Sequence, residues 1–298
     1  MKHRCLYRAF CLLLACLLLA AAGCGQKETP AAEQDATGEK EKILDLYVIA
    51  GQSNAAGFTL NPQDTSFETD VNYYAFGGPG ENQIEHEFGT KVGYGKGSRG
   101  PDYFGPEIGM AKVIAESGRN NEALIFKYAW GGTYLYDKNG DGFCWQGQLY
   151  DSWKADLTTV VTHYRELGYT VRLMGTFWMQ GEADSEQEIF KNAYAENLKN
   201  LIRRMHSDYA ALGVTNVYAP FVIGKIANNY PTPYVMDIRA IQVQVAAELS
   251  SENVVAVNTA QAGGAGGDDY HFGTEDMLAV GRKIARTMLE YATDETAS

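Results

Sequence analysis

Five short apolar segments alternating with amphipathic helical patterns constrain this chain more than any other feature. The segments cover residues 43–50, 123–130, 171–179, 217–223 and 254–258, rich in apolar and β-branched residues and bounded by polar or Gly-containing turns. Helical periodicity runs between and after them at 105–116, 149–166, 186–212, 235–249 and 274–291, the last with Met277, Val280, Ile284 and Met288 on one face. Such alternation predicts a largely parallel five-stranded sheet with helices on both faces. In an open α/β sheet the site lies in the crevice beyond the carboxyl ends of the strands. The turns that follow the strands are therefore where chemistry is sought.

The first 23 residues are set apart from the fold. Lys2, Arg4 and Arg8 precede an apolar stretch from Ala9 to Ala22 that ends in Gly23-Cys24. The stretch is shorter than the ~20 residues a membrane-spanning helix needs, and its charged flank and small terminal residues are those of a cleaved secretion signal. Ala21-Ala22-Gly23-Cys24 resembles the bacterial lipoprotein signal, which implies a lipid on Cys24, a protein exported to the periplasm or cell exterior, and attachment to a membrane. Residues 24–42, rich in Gln, Glu, Lys, Ala and Thr, read as a solvated tether. A single domain is expected over 43–298.

Cys5, Cys11 and Cys16 leave with the signal, so the mature chain keeps Cys24 and Cys144. With Cys24 lipidated no disulfide forms, and about 255 residues suffice to bury a stabilising core. Cys144 reads as a packed thiol. Loss of the signal takes the formal net charge from −12 to −15. A chain this acidic opposes a phosphate backbone, so nucleic acid is excluded as a partner and a neutral or weakly charged substrate is favoured.

The first strand runs straight into Gly51-Gln52-Ser53-Asn54, which sets the Ser53 hydroxyl at a strand's carboxyl end. The plainer reading of the same residues is a polar turn in which Ser53 or Asn54 caps the next segment. A nucleophilic serine needs a base, and the mature chain has four histidines: His86, His163, His206 and His271. His163 and His206 fall inside predicted helices, and His86 lies in a Gly-rich acidic loop. His271 follows the Gly-rich loop 262–267 and precedes the last helix, with Asp268 three residues before it. An Asp at that spacing can turn back to accept the Nδ1 proton and leave Nε2 for the serine; alternatively Asp268 and Asp269 cap the last helix. Two more strand-end turns offer donors for an oxyanion: Gly131-Gly132-Thr133 and Gln180-Gly181-Glu182.

These four places are also where the chain resembles a known family. Gly51-Gln52-Ser53-Asn54, Ala129-Trp130-Gly131-Gly132-Thr133, Trp178-Met179-Gln180-Gly181-Glu182-Ala183-Asp184 and Asp268-x-x-His271 resemble the motif blocks of the SGNH-hydrolase superfamily. They are most similar to its sialate O-acetylesterase-like group, which includes the family 6 acetylxylan esterases. The resemblance implies a flavodoxin-like three-layer α/β/α sandwich. It implies a serine esterase that removes O-acetyl groups from xylan, sialic acid or a related glycan through an acyl-enzyme, without a cofactor. Ser53 would be the nucleophile, His271 the base and Asp268 its orienting acid. The oxyanion hole would comprise the Ser53 N–H, an N–H from Gly131 or Gly132, and the Gln180 amide. Glu182 competes with Asp268 as acid partner or holds the loops together. Phe104-Gly105-Pro106-Glu107 also resembles a family block, with Glu107 expected to be structural at a helix start.

Trp130, Tyr134, Trp145 and Trp178 are expected near the crevice, where aromatic faces suit sugar rings; the plainer reading is that they are core, as most aromatic residues are. Asp137, Asn139 and Asp141 match half of a calcium loop, but Gln148 stands where an EF-hand needs a bidentate Glu, so no metal site is assigned. A non-catalytic glycan-binding lipoprotein and a lipase or thioesterase of the same superfamily are the alternative functions.

Overall fold

The computed structural model describes residues 41–77 and 87–291. The signal, Cys24 and His86 lie outside the described residues. The first strand, β1 (Lys42–Gly51), leads into a single helical turn, α1 (Ser53–Ala56). After it come β2 (Thr59–Leu60), β3 (Glu68–Gly77), β4 (Lys91–Gly93) and β5 (Tyr103–Phe104). Then α2 (Pro106–Glu116), β6 (Glu122–Ala129), α3 (Gln148–Glu166), β7 (Tyr169–Met179) and α4 (Glu188–Ala211) alternate. The chain finishes with β8 (Phe221–Gly224), α5 (Val235–Glu248), β9 (Val254–Val257) and α6 (Thr274–Tyr291).

The main sheet has seven strands in the order β4-β3-β6-β1-β7-β8-β9, parallel except for β4, which runs antiparallel to β3. β2 and β5 form a separate small antiparallel pair. The five expected strands are thus β6-β1-β7-β8-β9 in space, the doubly wound order in which the first strand sits beside the switch point. The expected count of five is corrected to seven. β3 and β4 carry Glu68, Thr69, Asp70, Asn72 and Lys91 among their apolar residues, a composition that a search for buried apolar runs passes over. The strand expected at 217–223 begins only at Phe221, since Asn216 adopts a left-handed φ of 55° and opens a turn that runs to Pro220.

β1 shows why the sheet is covered on both faces. Leu44, Leu46, Val48 and Ala50 pack into a core with Trp153 and Leu157 of α3, Leu198 and Leu201 of α4, and Ile238 of α5. Tyr47 and Ile49 point to the opposite core, with Ile108 and Met110 of α2 and Met277, Ile284 and Met288 of α6. A strand buried on both sides reads as an unbroken apolar run, which is the pattern of residues 43–50. Asp45 interrupts that run and is only 1% exposed, held by Arg119, Arg172 and Asn121.

Candidate active site

The turns after β1, β6 and β7 are tied to one another. Gly51 sits at φ +140°, and a Cβ there would meet the Met179 carbonyl oxygen at 2.0 Å, so only glycine allows the two strand ends to close up. The Gly51 carbonyl accepts from Trp130 N–H at 3.0 Å, and Gln52 N–H donates to the Met179 carbonyl at 2.9 Å. Gln52 Oε1 accepts in turn from the N–H groups of Gly181 and Ala183. Three sequence-distant loops are thereby fixed around the start of α1, where Ser53 is 8% exposed. In so short a helix the first N–H groups have no intrahelical acceptor, and Gly57 closes the turn with its N–H on the Ser53 carbonyl at 2.9 Å.

Gly131 lies against the serine. A Cβ built on it would be 3.5 Å from Ser53 Cβ and 3.0 Å from Phe58 Cζ. Gly132 faces open space and takes φ +69°, the conformation that turns the loop away. Of the two glycines, Gly131 is therefore the one beside the Ser53 side chain. The Phe58 ring beside it lies against the imidazole of His271, with centroids 4.8 Å apart and planes tilted by 31°.

His271 Nδ1 is 2.9 Å from Asp268 Oδ2 and 2.8 Å from Oδ1. Asp268 Oδ1 also accepts from the N–H groups of Tyr270 and His271, at 2.8 and 2.9 Å, so one tight turn builds the pair. Burial pushes the His271 pKa below that of an ordinary histidine; Asp268 works against this, and the positive charge of Arg99 adds to it. Partial burial of Asp268 opposes its ionisation, yet hydrogen bonds from His271 and Tyr270 hold its carboxyl below the usual range. Near neutral pH this leaves a neutral imidazole beside a carboxylate, the combination a general base requires. The Arg99 guanidinium lies over the same Phe58 ring, 3.7 Å from its centre.

Glu182 is fully buried and away from the histidine's partner position. Its Oε1 accepts from Asn54 Nδ2 at 3.2 Å, while Oε2 has no partner, and burial raises its pKa to about 7. The Gln180 amide, expected at the oxyanion, is engaged elsewhere in this structure. Nε2 donates to the Thr133 carbonyl at 2.9 Å and to Asp184 Oδ2 at 2.6 Å, which uses both of its protons. Asp184, raised by burial to about 7, also accepts from the N–H groups of Leu135 and Tyr136. Gln180 and Asp184 thus brace the loop that carries Gly131.

Glu107 has a partner that the sequence reading did not find. Its Oε2 meets Lys127 Nζ at 2.8 Å, with the lysine side chain 0% and the glutamate 2% exposed. Lys127 Nζ also donates to the Ala56 carbonyl at 2.8 Å, joined there by Ser98 Oγ, and Glu107 Oε1 accepts from Gly105 N–H. The pair holds the far end of α1, three residues from the nucleophile candidate. A lone lysine inside the apolar run Leu124-Ile125-Phe126-Lys127-Tyr128-Ala129 was the available signal.

The remaining candidates take structural places. Trp145 and Trp178 are fully buried and pack edge to face at 4.9 Å, so they belong to the core and not to the rim; Trp130 and Tyr134 are half-buried. Asp137 and Asp141 accept from the N–H groups of Gly142 and Phe143, and the Asn139 amide faces Asp141, as in a self-bonded polar turn. Among the described residues no three His, Cys, Asp or Glu side chains gather as metal ligands. His206 is buried in α4 between Tyr218 and Phe221, His163 of α3 stacks on Phe88, and Cys144 is a buried free thiol.

Comparison with known proteins bears on this geometry. The family described as "carbohydrate esterase, sialic acid-specific acetylesterase" matches residues 43–290. A protein from Arabidopsis thaliana is similar in structure, with a TM-score of 0.58 at 18% identity over 83% of this chain and 98% of its own. NanS is similar with a TM-score of 0.61 at 13% identity, covering 85% of this chain and 98% of its own. A carbohydrate acetylesterase from Xanthomonas citri gives 0.52 at 16% identity, over 85% of this chain and 57% of its own. At these identities the likeness establishes a shared fold. No curated protein matches the sequence.

Proposed function

The chain belongs to the sialic acid-specific acetylesterase family of carbohydrate esterases, and from that premise we propose that it removes O-acetyl groups from carbohydrate hydroxyls through an acetyl-enzyme on Ser53. Membership makes it a carboxylic ester hydrolase. The observation that carries the finer reading is the Asp268–His271 pair at 2.9 Å, its imidazole against the Phe58 ring that also lies beside Gly131 and Ser53.

In this reading Ser53 Oγ attacks the acetyl carbonyl carbon while His271 Nε2 takes the hydroxyl proton. Asp268 keeps the other ring proton on Nδ1 and stabilises the imidazolium. The carbonyl oxygen, now negative, is met by the N–H groups of Ser53 and Gly131. Collapse of the tetrahedral intermediate expels the sugar oxygen, which receives the proton from His271. Water, deprotonated by His271, then attacks acetyl-Ser53; the second intermediate collapses to acetate, and Ser53 Oγ leaves with the proton returned from His271. Gln180, with its amide protons engaged, serves by holding the Gly131 loop through Thr133.

The substrate is an acetylated carbohydrate, a reading supported by the family description and by the likeness to a carbohydrate acetylesterase from Xanthomonas citri. The enzyme is proposed to act outside the cytoplasm, held to a membrane by lipid on Cys24. The test is acetate release from acetylated xylan, sialic acid and related oligosaccharides. Ser53→Ala should abolish release with folding intact, and retained release would overturn the assignment.

A further inference from the structure

Asn54, the residue after the proposed nucleophile, is 1% exposed, and the hydrogen bonds of its amide run to other loops. Nδ2 donates to the Tyr270 carbonyl at 3.4 Å and to Glu182 Oε1 at 3.2 Å, and Oδ1 accepts from Phe272 N–H at 3.2 Å. Residues 270 and 272 flank His271. The Asn54 side chain therefore grips the base's segment on both sides from the peptide adjoining Ser53. Thr59 adds a bond from its hydroxyl to the Phe272 carbonyl at 2.8 Å, so residue 272 is held at both its N–H and its C=O.

The polarity of the amide is fixed by its surroundings. Two acceptors face Nδ2 and one donor faces Oδ1; a flipped amide would set an oxygen against two oxygens and a nitrogen against an N–H. Glu182 adds a side-chain acceptor to the two backbone groups that set this orientation. Its burial at the turn after β7 is otherwise hard to account for, because a buried carboxyl with a single partner is costly.

Resting on the reading of Ser53 and His271 given above, we propose that Asn54 is the positioning residue that sets the His271 segment against the nucleophile, with Glu182 adding a second acceptor that holds its amide in place. Asn54 touches no reacting atom in this account. It acts through the backbone of residues 270 and 272, and catalysis is sensitive to that placement because a misplacement of about 1 Å costs on the order of 100-fold in rate.

The test compares wild type, Ser53→Ala, Asn54→Ala and Asn54→Asp with 4-nitrophenyl acetate and with an acetylated xylo-oligosaccharide, across pH, with thermal melts of each. Asn54→Ala should lower kcat about 100-fold with KM little changed, in protein that is folded at the assay temperature. Asn54→Asp keeps an acceptor for Phe272 N–H but sets a second carboxyl against Glu182 Oε1 and the Tyr270 carbonyl. Of the titratable and charged groups, Glu182 bonds to Asn54 directly, Tyr270, His271 and Asp268 belong to the segment it holds, Tyr230 packs against Tyr270, and Arg99 acts on His271. Two carboxyls in contact share a proton, so the kcat of Asn54→Asp should fall steeply with rising pH over a range where wild type stays flat. A purely structural asparagine would lower the melting temperature without that profile. Wild-type kcat in Asn54→Ala overturns the proposal, and if that variant does not fold, an Asn54→Asp profile parallel to wild type does so. Full activity in Ser53→Ala would instead sink the underlying assignment, and the two failures are told apart by that control.

Discussion

Lys127→Met is the perturbation whose consequences the structure defines most closely. The substitution keeps the length and apolar stem of the side chain and removes one charge. It leaves the Glu107 carboxylate, 2% exposed, with the Gly105 N–H at 2.9 Å but without the ammonium that met Oε2 at 2.8 Å. Breaking a buried pair by removing one partner costs about 3–5 kcal/mol. In a domain of this size each kcal/mol moves the melting point by about 2–4 °C, so a fall of roughly 6–20 °C is expected. The loss should deepen as pH rises, because the stranded carboxyl escapes its penalty by taking a proton. Lys127→Met with Glu107→Gln leaves no buried charge and should recover most of the loss, since neutral replacement of a buried pair is often no worse than the pair itself. The Ala56 carbonyl keeps its bond from Ser98 Oγ at 2.8 Å in both variants, so α1 should still form. Thermal melts at two pH values decide the matter. A single variant that melts within about 2 °C of wild type, or a double variant no better than the single, refutes the argument.

Gly131→Ala would bring a methyl to 3.0 Å from Phe58 and 3.5 Å from Ser53, and it should cut kcat severely, while Gly132→Ala, facing open space at φ +69°, should cost about 1–2 kcal/mol of stability and leave kcat largely intact; kinetics paired with melts separates the two. The kcat/KM profile should lose activity on the acid side with a midpoint below about 6.5, because the base works unprotonated and burial holds His271 below its ordinary value; a midpoint well above that value would contradict the buried imidazole. Asp268→Asn should lower kcat by about 10⁴-fold without unfolding the protein, through loss of the ring tautomer. Cys24→Ala in the full chain should move the protein from the membrane fraction to the soluble exported fraction on fractionation.

How much of this was legible in the residues depends on the range of the interactions involved. The ends of α2, α3, α4, α5 and α6 fall within two residues of where periodicity puts them, because each helix buries one apolar stripe in a layered core. Strands buried on both faces announce themselves as apolar runs; β3 and β4, with polar residues interspersed, do not. The Asp268–His271 pair is a local turn, so its spacing carried the geometry. Lys127 with Glu107, and Asn54 with residues 182, 270 and 272, join segments separated by up to 218 positions, and only the folded sheet brings them together. The Gln180 amide shows the limit from the other side: its chemistry suits an oxyanion, but Thr133 and Asp184 compete for the same protons and hold them.

The central claim is that Ser53 is an activated nucleophile served by His271. Treating the full chain with a fluorophosphonate and mapping the adduct by peptide mass spectrometry tests it most directly. One adduct, on the Ser53 peptide, absent when the chain is denatured before labelling and much slower to form in His271→Ala, is the predicted result. An unmodified Ser53, or labelling at the same rate without His271, would contradict it.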